Sequence, residues 1–202
     1  MTAKRTLDVV LSGAGLLLSA PFWALIAAAI KLESRGPVFY AQARVGRHGR
    51  VFSALKFRSM IDEAERGVGP LQATEDDPRV TRVGRVLRAT AMDELPQLWN
   101  IFRGDMSFVG PRALRPEEIE VDASGHAVAL SAVPGFEERS CVRPGLTGVA
   151  QIYARRDISR RQKFRLDRLY IRKQSLGLDV RLILLSFRIT LLGRWEARNR
   201  KL

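Results

Sequence analysis

The longest uninterrupted run of apolar residues lies near the N-terminus. No charged residue occurs between Val9 and Ile30, and a helix needs ~20 apolar residues to span a bilayer. Pro21 lies near the middle of the run, two residues after Ser19, and a proline inside a helix removes a backbone donor and kinks the chain. The pattern therefore predicts a membrane-embedded helix within residues 1–36.

The residues alone allow three arrangements of this segment. A cleaved signal peptide is disfavoured, because the run exceeds the ~7–15 residues of a typical apolar signal core. A spanning helix would place Lys4 and Lys31 on opposite sides of the membrane, so the positive-inside rule gives little guidance. A re-entrant helix-break-helix would bend at Pro21, where Ser19 could satisfy a freed carbonyl, and would return both basic ends to one leaflet.

After Gly36 the pattern becomes that of a second domain, residues 37–202, with fold class α+β and mainly helical. Two short strands joined by a turn predict a small β-hairpin. Proline fits best in the first turn of a helix, so a helix is expected to begin close to Asp93, with Pro96 in that turn, and to end near Gly104. The remaining expectations are strands at 38–40 and 51–57, the hairpin turn at 46–49, short helices at 61–66 and 83–88, loops at 67–79 and 143–148, an acidic stretch interrupted by Gly and Pro at 116–138, and a helical C-terminal third.

The last predicted helix carries an apolar stripe with basic residues beside it. Such a basic amphipathic helix can lie flat on a membrane, but the same stripe can equally pack into the core of the domain. The pattern leaves both interpretations open. The stripe consists of Val180, Ile183, Leu184, Phe187 and Leu191, and the basic residues beside it are Arg181 and Arg188.

The chain is strongly basic. Its 202 residues include 34 Lys and Arg against 21 Asp and Glu, a net charge of +13, which favours an anionic partner: nucleic acid, acidic lipid or a phosphorylated substrate. Cys141 is the sole cysteine, so an internal disulfide is impossible. His48 and His126 are the only histidines and lie far apart in sequence, which argues against a zinc site and against Ser-His-Asp chemistry.

Asp93 and Glu94 form the best candidate for a catalytic pair. Acidic residues at the start of a helix are commonly only caps, but several cations occur near this pair in sequence. Cations beside two carboxylates suit a diphosphate and a divalent metal, and Mg²⁺ prefers one or two carboxylates plus phosphate oxygens. A carboxylate can also act as a nucleophile and form an acyl phosphate. The candidate phosphate-binding cations are Lys56, Arg58, Arg88 and Arg112.

Several segments, in order, resemble the monotopic phosphoglycosyl transferases, bacterial sugar transferases that act on polyprenyl phosphate. The resemblance covers nearly the whole chain and is to the minimal catalytic form of the family. Its segments after the apolar run are Gly36-Pro37-Val38-Phe39, Lys56-Phe57-Arg58-Ser59-Met60, Asp77-Pro78-Arg79-Val80-Thr81-Arg82-Val83-Gly84, Asp93-Glu94-Leu95-Pro96-Gln97-Leu98-Trp99-Asn100, Gly104-Asp105-Met106-Ser107-Phe108-Val109-Gly110-Pro111-Arg112 and Arg143-Pro144-Gly145-Leu146-Thr147-Gly148-Val149-Ala150-Gln151.

The resemblance implies a role for each site residue. Asp93 would attack the β-phosphate of a UDP-sugar and release UMP, and polyprenyl (undecaprenyl) phosphate would then take the phosphosugar. Mg²⁺ would sit near Asp93, Glu94 would assist with the metal or the acceptor, and Arg88 and Arg112 would hold phosphates. The resemblance also implies a re-entrant membrane segment, interfacial amphipathic helices, the cytoplasmic face of the bacterial inner membrane and a first step in glycan or exopolysaccharide assembly, with downstream glycosyltransferases as further partners.

Two departures from the family pattern bear on this reading. Ala113 stands where relatives often have a second proline after Arg112, and Ala20 separates Ser19 from Pro21. The alternative function is a non-enzymatic basic membrane protein that binds anionic lipid or nucleic acid. Nucleic acid is not expected, because the basic residues are not interleaved with the aromatic residues of a stacking platform. An inactive relative is disfavoured by the intact Asp93-Glu94 pair.

Overall fold

A computed structural model describes residues 2–62, 64, 77–116, 118–121, 126–155 and 158–195. The fold is mixed α/β and mainly helical, which confirms the predicted class. The strands form three two-stranded sheets, β1–β2, β3–β6 and β4–β5. The helices are Ala3–Glu33 (α1), Arg82–Ala89 (α2), Gln97–Arg103 (α3), Phe136–Ser140 (α4), Val149–Tyr153 (α5), Arg160–Lys173 (α6) and Leu176–Leu191 (α7), and the strands are Phe39–Val45 (β1), Val51–Phe57 (β2), Ser107–Val109 (β3), Ile119–Val121 (β4), Ala127–Ala129 (β5) and Gly145–Thr147 (β6).

The N-terminal end of α1 is attached to the rest of the domain by buried polar contacts. Lys4 Nζ donates to Asp179 Oδ2 on α7 at 2.7 Å and to the carbonyl of Val109 at 3.0 Å. Asp8 is buried, and its Oδ1 accepts from Ser107 Oγ at 3.0 Å. Because buried charges are stable only when paired, these contacts fix the start of the helix on the domain.

The C-terminal end of α1 is attached to the same domain. Ile30 is buried in an apolar cluster with Phe57 of β2 and Leu87 of α2. Both carboxylate oxygens of Glu33 accept from the first two amides of α2, at 2.7 and 2.8 Å. A carboxylate at this position satisfies amides that have no partner within their own helix.

The middle of α1 continues as helix through Pro21, so the predicted break does not interrupt its secondary structure. Ser19 Oγ lies 3.5 Å from the carbonyl oxygen of Leu16 and accepts from Trp23 Nε1 at 3.0 Å. By length and composition, α1 is the one described helix that is long and apolar enough to cross a membrane. Between positions 10 and 30 its large exposed side chains are all apolar: Val10, Leu17, Leu18, Phe22 and Leu25.

The β-hairpin is confirmed, and its first strand is longer than predicted. The strands β1 and β2 pair antiparallel from Phe39 opposite Phe57 to Val45 opposite Val51. A 3₁₀ turn at Arg47–Gly49 closes the hairpin. Alternate residues of a strand face the same side, so one face of this hairpin presents polar side chains of β1 beside Lys56 of β2.

The helix that follows the candidate catalytic pair begins later than expected. Met92–Glu94 forms a separate 3₁₀ turn, and α3 starts only at Gln97, with Pro96 as its N-cap. The proline therefore lies at the helix start, as predicted, but Asp93 precedes the helix instead of opening it. The helix ends at Gly104, whose φ of 103° is accessible to glycine at little cost.

The structure decides in part whether the apolar stripe of the last helix packs into the core of the domain. Among the five stripe residues only Ile183 is buried, and Leu184, Phe187 and Leu191 are more than half exposed. The core face of α7 is formed instead by Leu182, Ile183 and Ile189. A helix that is apolar on both faces buries one and leaves the other for a second apolar environment.

The remaining predictions had mixed outcomes. The helix predicted at 83–88 is confirmed as α2, whereas the loop predicted at 143–148 contains β6. The acidic stretch at 116–138 contains β4, β5 and the start of α4. The helix predicted at 61–66 and the loop at 67–79 lie largely outside the described residues.

Candidate functional site

A cavity of about 900 Å³ lies between the β-hairpin, the end of α2 and the N-terminal half of α6. Its walls include both members of the predicted catalytic pair and all four predicted phosphate-binding cations, so the structure brings together residues spread over 57 positions of the sequence. These residues are Lys56, Arg58, Arg88, Asp93, Glu94 and Arg112.

Glu94 is held by cations. Its Oε1 accepts from Lys56 Nζ at 2.5 Å and lies 3.7 Å from a guanidinium nitrogen of Arg112. Burial opposes its ionisation, but Lys56 and Arg112 outweigh burial and hold the pKa of Glu94 at about 2, below the ordinary 4.5. Glu94 is therefore a fixed negative charge that orders the two cations.

The pKa of Asp93 is shifted in the opposite direction. Its side chain lines the cavity although the residue is only 8% exposed. Burial and the charge of Glu94 raise the pKa of Asp93 from 3.8 to about 6, because the charges of Lys56 and Arg88 offset these two effects only in part. No described residue donates a hydrogen bond to this carboxylate. An ionised carboxylate without such a donor keeps its lone pairs available for attack on an electrophile.

The backbone before Asp93 has an unusual conformation. Ala91 has φ 55° and ψ 20°, a left-handed region that costs a residue with a Cβ roughly 1–2 kcal/mol. This conformation turns the chain out of α2 and into the 3₁₀ turn that carries Asp93. Nothing in the sequence marks Ala91 for this role, because glycine or asparagine would be expected there.

The two remaining predicted cations are placed differently. Arg88 lies in the last turn of α2 and lowers the pKa of Asp93 by its charge. Arg58 is buried and donates to the two residues that follow α1, to the carbonyls of Ser34 at 2.8 Å and Arg35 at 2.5 Å. Its guanidinium thus joins the end of β2 to the end of α1, and phosphate binding by Arg58 stays a prediction.

Sequence reasoning missed three polar residues of β1. Tyr40, Gln42 and Arg44 line the cavity, and Tyr40 pairs across the hairpin with Lys56. Burial, together with the charges of Arg112 and Arg115, lowers the pKa of Arg44 to about 10. Their spacing of two residues is typical of one face of a strand. The predicted strand ended at Tyr40, so this spacing was not recognised.

The loop that carries Arg112 is firmly attached despite the missing proline at Ala113. Val45 N donates to the carbonyl of Leu114 at 2.8 Å, and Gly145 N donates to that of Pro111 at 2.9 Å. Arg44 donates to the carbonyl of Ala113 at 2.9 Å. These bonds fix the backbone, while the side chain of Arg112 remains 54% exposed and available to an anion.

The site fits a magnesium ion bound jointly with a phosphorylated substrate. The described residues contain no group of three or more His, Cys, Asp or Glu side chains that could enclose a metal. Mg²⁺ commonly takes one or two carboxylates and completes its coordination with water and substrate phosphate oxygens. Asp93 is a suitable ligand, since its buried charge is only partly compensated by the neighbouring cations.

The chain is similar to known proteins along its whole length. The model of a family described as bacterial sugar transferase matches residues 1–193. Undecaprenyl-phosphate glucose phosphotransferase of Komagataeibacter xylinus is 41% identical over 96% of this chain, which spans only 37% of that protein. Exopolysaccharide production protein ExoY of Rhizobium meliloti (strain 1021) is 36% identical, with 95% of this chain and 87% of ExoY covered. UDP-glucose:undecaprenyl-phosphate glucose-1-phosphate transferase of Caulobacter vibrioides is 44% identical, with coverages of 90% and 67%.

Proposed function

Because the chain belongs to the bacterial sugar transferase family, we propose that it transfers a sugar-1-phosphate from a UDP-sugar to undecaprenyl phosphate. Two of the relatives above are named as transferases that act on undecaprenyl phosphate. The observation that carries the proposal is the pairing of two adjacent carboxylates with opposite pKa changes in a cavity walled by cations. Such a pair supports two different roles for the two acids.

In the proposed first step, a carboxylate oxygen of Asp93 attacks the β-phosphorus of the UDP-sugar. The bond between this phosphorus and the oxygen bridging to the α-phosphorus breaks, and UMP leaves with the electron pair. The raised pKa of Asp93 supports this assignment, because a more basic carboxylate is a better nucleophile while remaining largely ionised at neutral pH. Arg112 and Lys56 face the same cavity and would bind the diphosphate.

In the second step, an oxygen of undecaprenyl phosphate attacks the phosphorus of the aspartyl phosphosugar. The acyl phosphate bond breaks, Asp93 recovers its carboxylate, and the product is the lipid diphosphate sugar. Glu94 keeps Lys56 and Arg112 in place throughout, since its Oε1 is engaged with both cations. Mg²⁺, when bound, would supply charge neutralisation of the phosphates beside Asp93.

We further propose that both ends of α1 lie on the cytoplasmic side of the inner membrane. A straight helix of 31 residues would be about 46 Å long, enough to cross a bilayer core of about 30 Å. Crossing would, however, place Asp179, which binds Lys4, and α2, which binds Glu33, on opposite sides. Contacts of both ends with one domain support a segment that enters the membrane and does not cross it.

The test is release of UMP from a panel of UDP-sugars by the purified protein, with undecaprenyl phosphate and Mg²⁺ present. UDP-glucose, UDP-galactose and UDP-N-acetylhexosamines form the panel. A donor labelled in the sugar phosphate should leave a covalent label on the wild type without acceptor, and none on Asp93→Asn. Near-normal turnover by Asp93→Asn would refute the nucleophile, and no UMP release from any donor would refute the function.

A further inference from the structure

Arg139 lies in the wall of the cavity, next to the loop that carries Arg112. It belongs to the short helix α4, which the sequence did not predict, and it is only 8% exposed. Its Nη2 donates to the carbonyl oxygen of Arg112 at 2.6 Å. The contact is with the backbone of the very residue whose side chain faces the cavity.

The guanidinium of Arg139 is itself held on two further sides. Its Nε lies 3.3 Å from Oδ2 of Asp167 on α6, with both side chains less than a tenth exposed. The ring of Phe164 covers this guanidinium, whose Cζ lies 4.4 Å from the ring centroid. A planar guanidinium bound to a carboxylate and stacked on an aromatic ring has very little freedom to move.

The stability of the protein does not explain this pair. Two buried charges lose their hydration, and apolar side chains of similar volume are often as stable or more stable at such positions. Burial lowers the pKa of Arg139 and raises that of Asp167 to about 6 despite their mutual attraction. A charged pair kept at this cost suggests a role in the arrangement of its neighbours.

We propose that Arg139, oriented by Asp167, is a positioning residue that fixes the backbone of Arg112 and thereby aims its side chain at a phosphate group in the cavity. The assignment rests on the proposed function for the identity of the substrate, but not for the binding of an anion. Side chains therefore bind two successive carbonyls of this loop, Arg139 that of Arg112 and Arg44 that of Ala113.

A double-mutant cycle tests the proposal, with Arg139→Met/Asp167→Leu as one change and Arg112→Ala as the other. The Met/Leu replacement keeps the interior packed, so the protein should fold, but it removes the donor to the Arg112 carbonyl. Arg139→Lys serves as a milder second variant that retains the charge. Glu138→Gln is the matched control, because Glu138 pairs with Arg168 between the same two helices at an exposed position.

Two quantities are measured for each variant: kcat/KM for UMP release and the Kd of inorganic pyrophosphate by calorimetry. We expect Arg112→Ala to weaken both by about 10–100-fold, as for loss of a charge-assisted hydrogen bond. The Met/Leu replacement should weaken both by about tenfold in the wild type and by less than about twofold in Arg112→Ala, because an effect exerted through Arg112 vanishes with it. Glu138→Gln should change neither quantity.

The outcomes separate the two proposals. If the fold-changes in kcat/KM and Kd caused by the two changes multiply in the combined variant, Arg139 acts on the ligand directly or only on overall stability. The positioning role is then wrong. If wild-type protein binds no pyrophosphate, Arg112 is not an anion-binding residue and the role is equally wrong. If pyrophosphate binding shows the expected coupling while no UDP-sugar is turned over, the positioning role stands and the proposed function fails.

Discussion

Replacing Asp93 with asparagine should stabilise the folded protein while it abolishes turnover. Most substitutions at a buried position destabilise, so this expectation is specific to the electrostatics of the site. An ionised Asp93 is buried beside the negative charge of Glu94, and the nearby cations compensate it only in part. Asparagine has nearly the same shape and no charge.

The magnitude follows from the pKa of Asp93. A rise from 3.8 to about 6 is a difference of roughly two pKa units, or about 3 kcal/mol. The ionised carboxylate of Asp93 destabilises the folded state by this full amount above pH 6. The destabilisation becomes smaller as the pH falls from 6 and is absent below about pH 3.8. At 2–4 °C per kcal/mol for a chain of this size, Asp93→Asn should raise the Tm by about 6–12 °C at pH 8.

Glu94→Gln is the matched control, and its effect should have the opposite sign. Lys56 and Arg112 hold the pKa of Glu94 at about 2, below its ordinary value, so the ionised form stabilises the protein at every pH above 4.5 and this stability is lost only as the pH falls towards 2. Gln removes that stability and leaves Lys56 without its carboxylate partner. The Tm of Glu94→Gln should therefore be lower than that of the wild type at both pH 5 and pH 8.

Thermal unfolding in detergent with EDTA, at pH 5 and pH 8, measures both effects. The gain of Asp93→Asn at pH 5 should be about half the gain at pH 8, as expected for a group that titrates near pH 6. Added Mg²⁺ should raise the Tm of the wild type and not that of Asp93→Asn, because the metal would bind the carboxylate. A loss of stability in Asp93→Asn at pH 8, similar to that of Glu94→Gln, would refute the electrostatic argument.

Three further outcomes are expected. Glu33→Ala removes the carboxylate that caps α2, so it should cost about 1 kcal/mol and speed hydrogen exchange of the first amides of α2, whereas unchanged exchange would contradict the cap. Gly84→Ala should prevent folding or lower the free energy of unfolding, measured with denaturant, by more than about 2 kcal/mol, because its Cβ would lie 1.9 Å from the carbonyl oxygen of Ser59. An unfolding midpoint equal to that of the wild type would show that this contact relaxes freely. Leu184→Glu should weaken sedimentation with liposomes without lowering the Tm, since this side chain is 64% exposed; unchanged binding would place α7 away from the lipid.

The sequence predicted the carboxylate pair of the candidate site and the cations that act on it. Asp93, Glu94, Lys56, Arg88 and Arg112 were all expected, and all line one cavity. Their types and their order along the chain carry the prediction, because phosphate chemistry needs cations and carboxylates together. The hairpin followed from alternation and a turn, and α2 from helical periodicity, since both depend on local patterns.

The contacts that support the site could not be predicted in the same way. Arg139 binds the carbonyl of Arg112, and Asp167 binds Arg139, across 27 and 28 positions of sequence. No local period reports such a contact, because it depends on how α4 and α6 pack. Likewise the apolar run predicted a helix, but its pattern contained no information about the buried polar partners of its two ends.

The attachment of α1 at its first turn has a consequence for how the chain is made. This helix leaves the ribosome before the rest of the described fold, yet Asp8 meets Ser107 about a hundred residues later, and Lys4 meets Asp179 later still. A nascent chain that stops before α7 therefore leaves the ammonium of Lys4 without its carboxylate partner. Full attachment of α1 to the domain becomes a late event in biosynthesis, and prematurely terminated chains should be loosely packed at this helix and readily degraded by proteases.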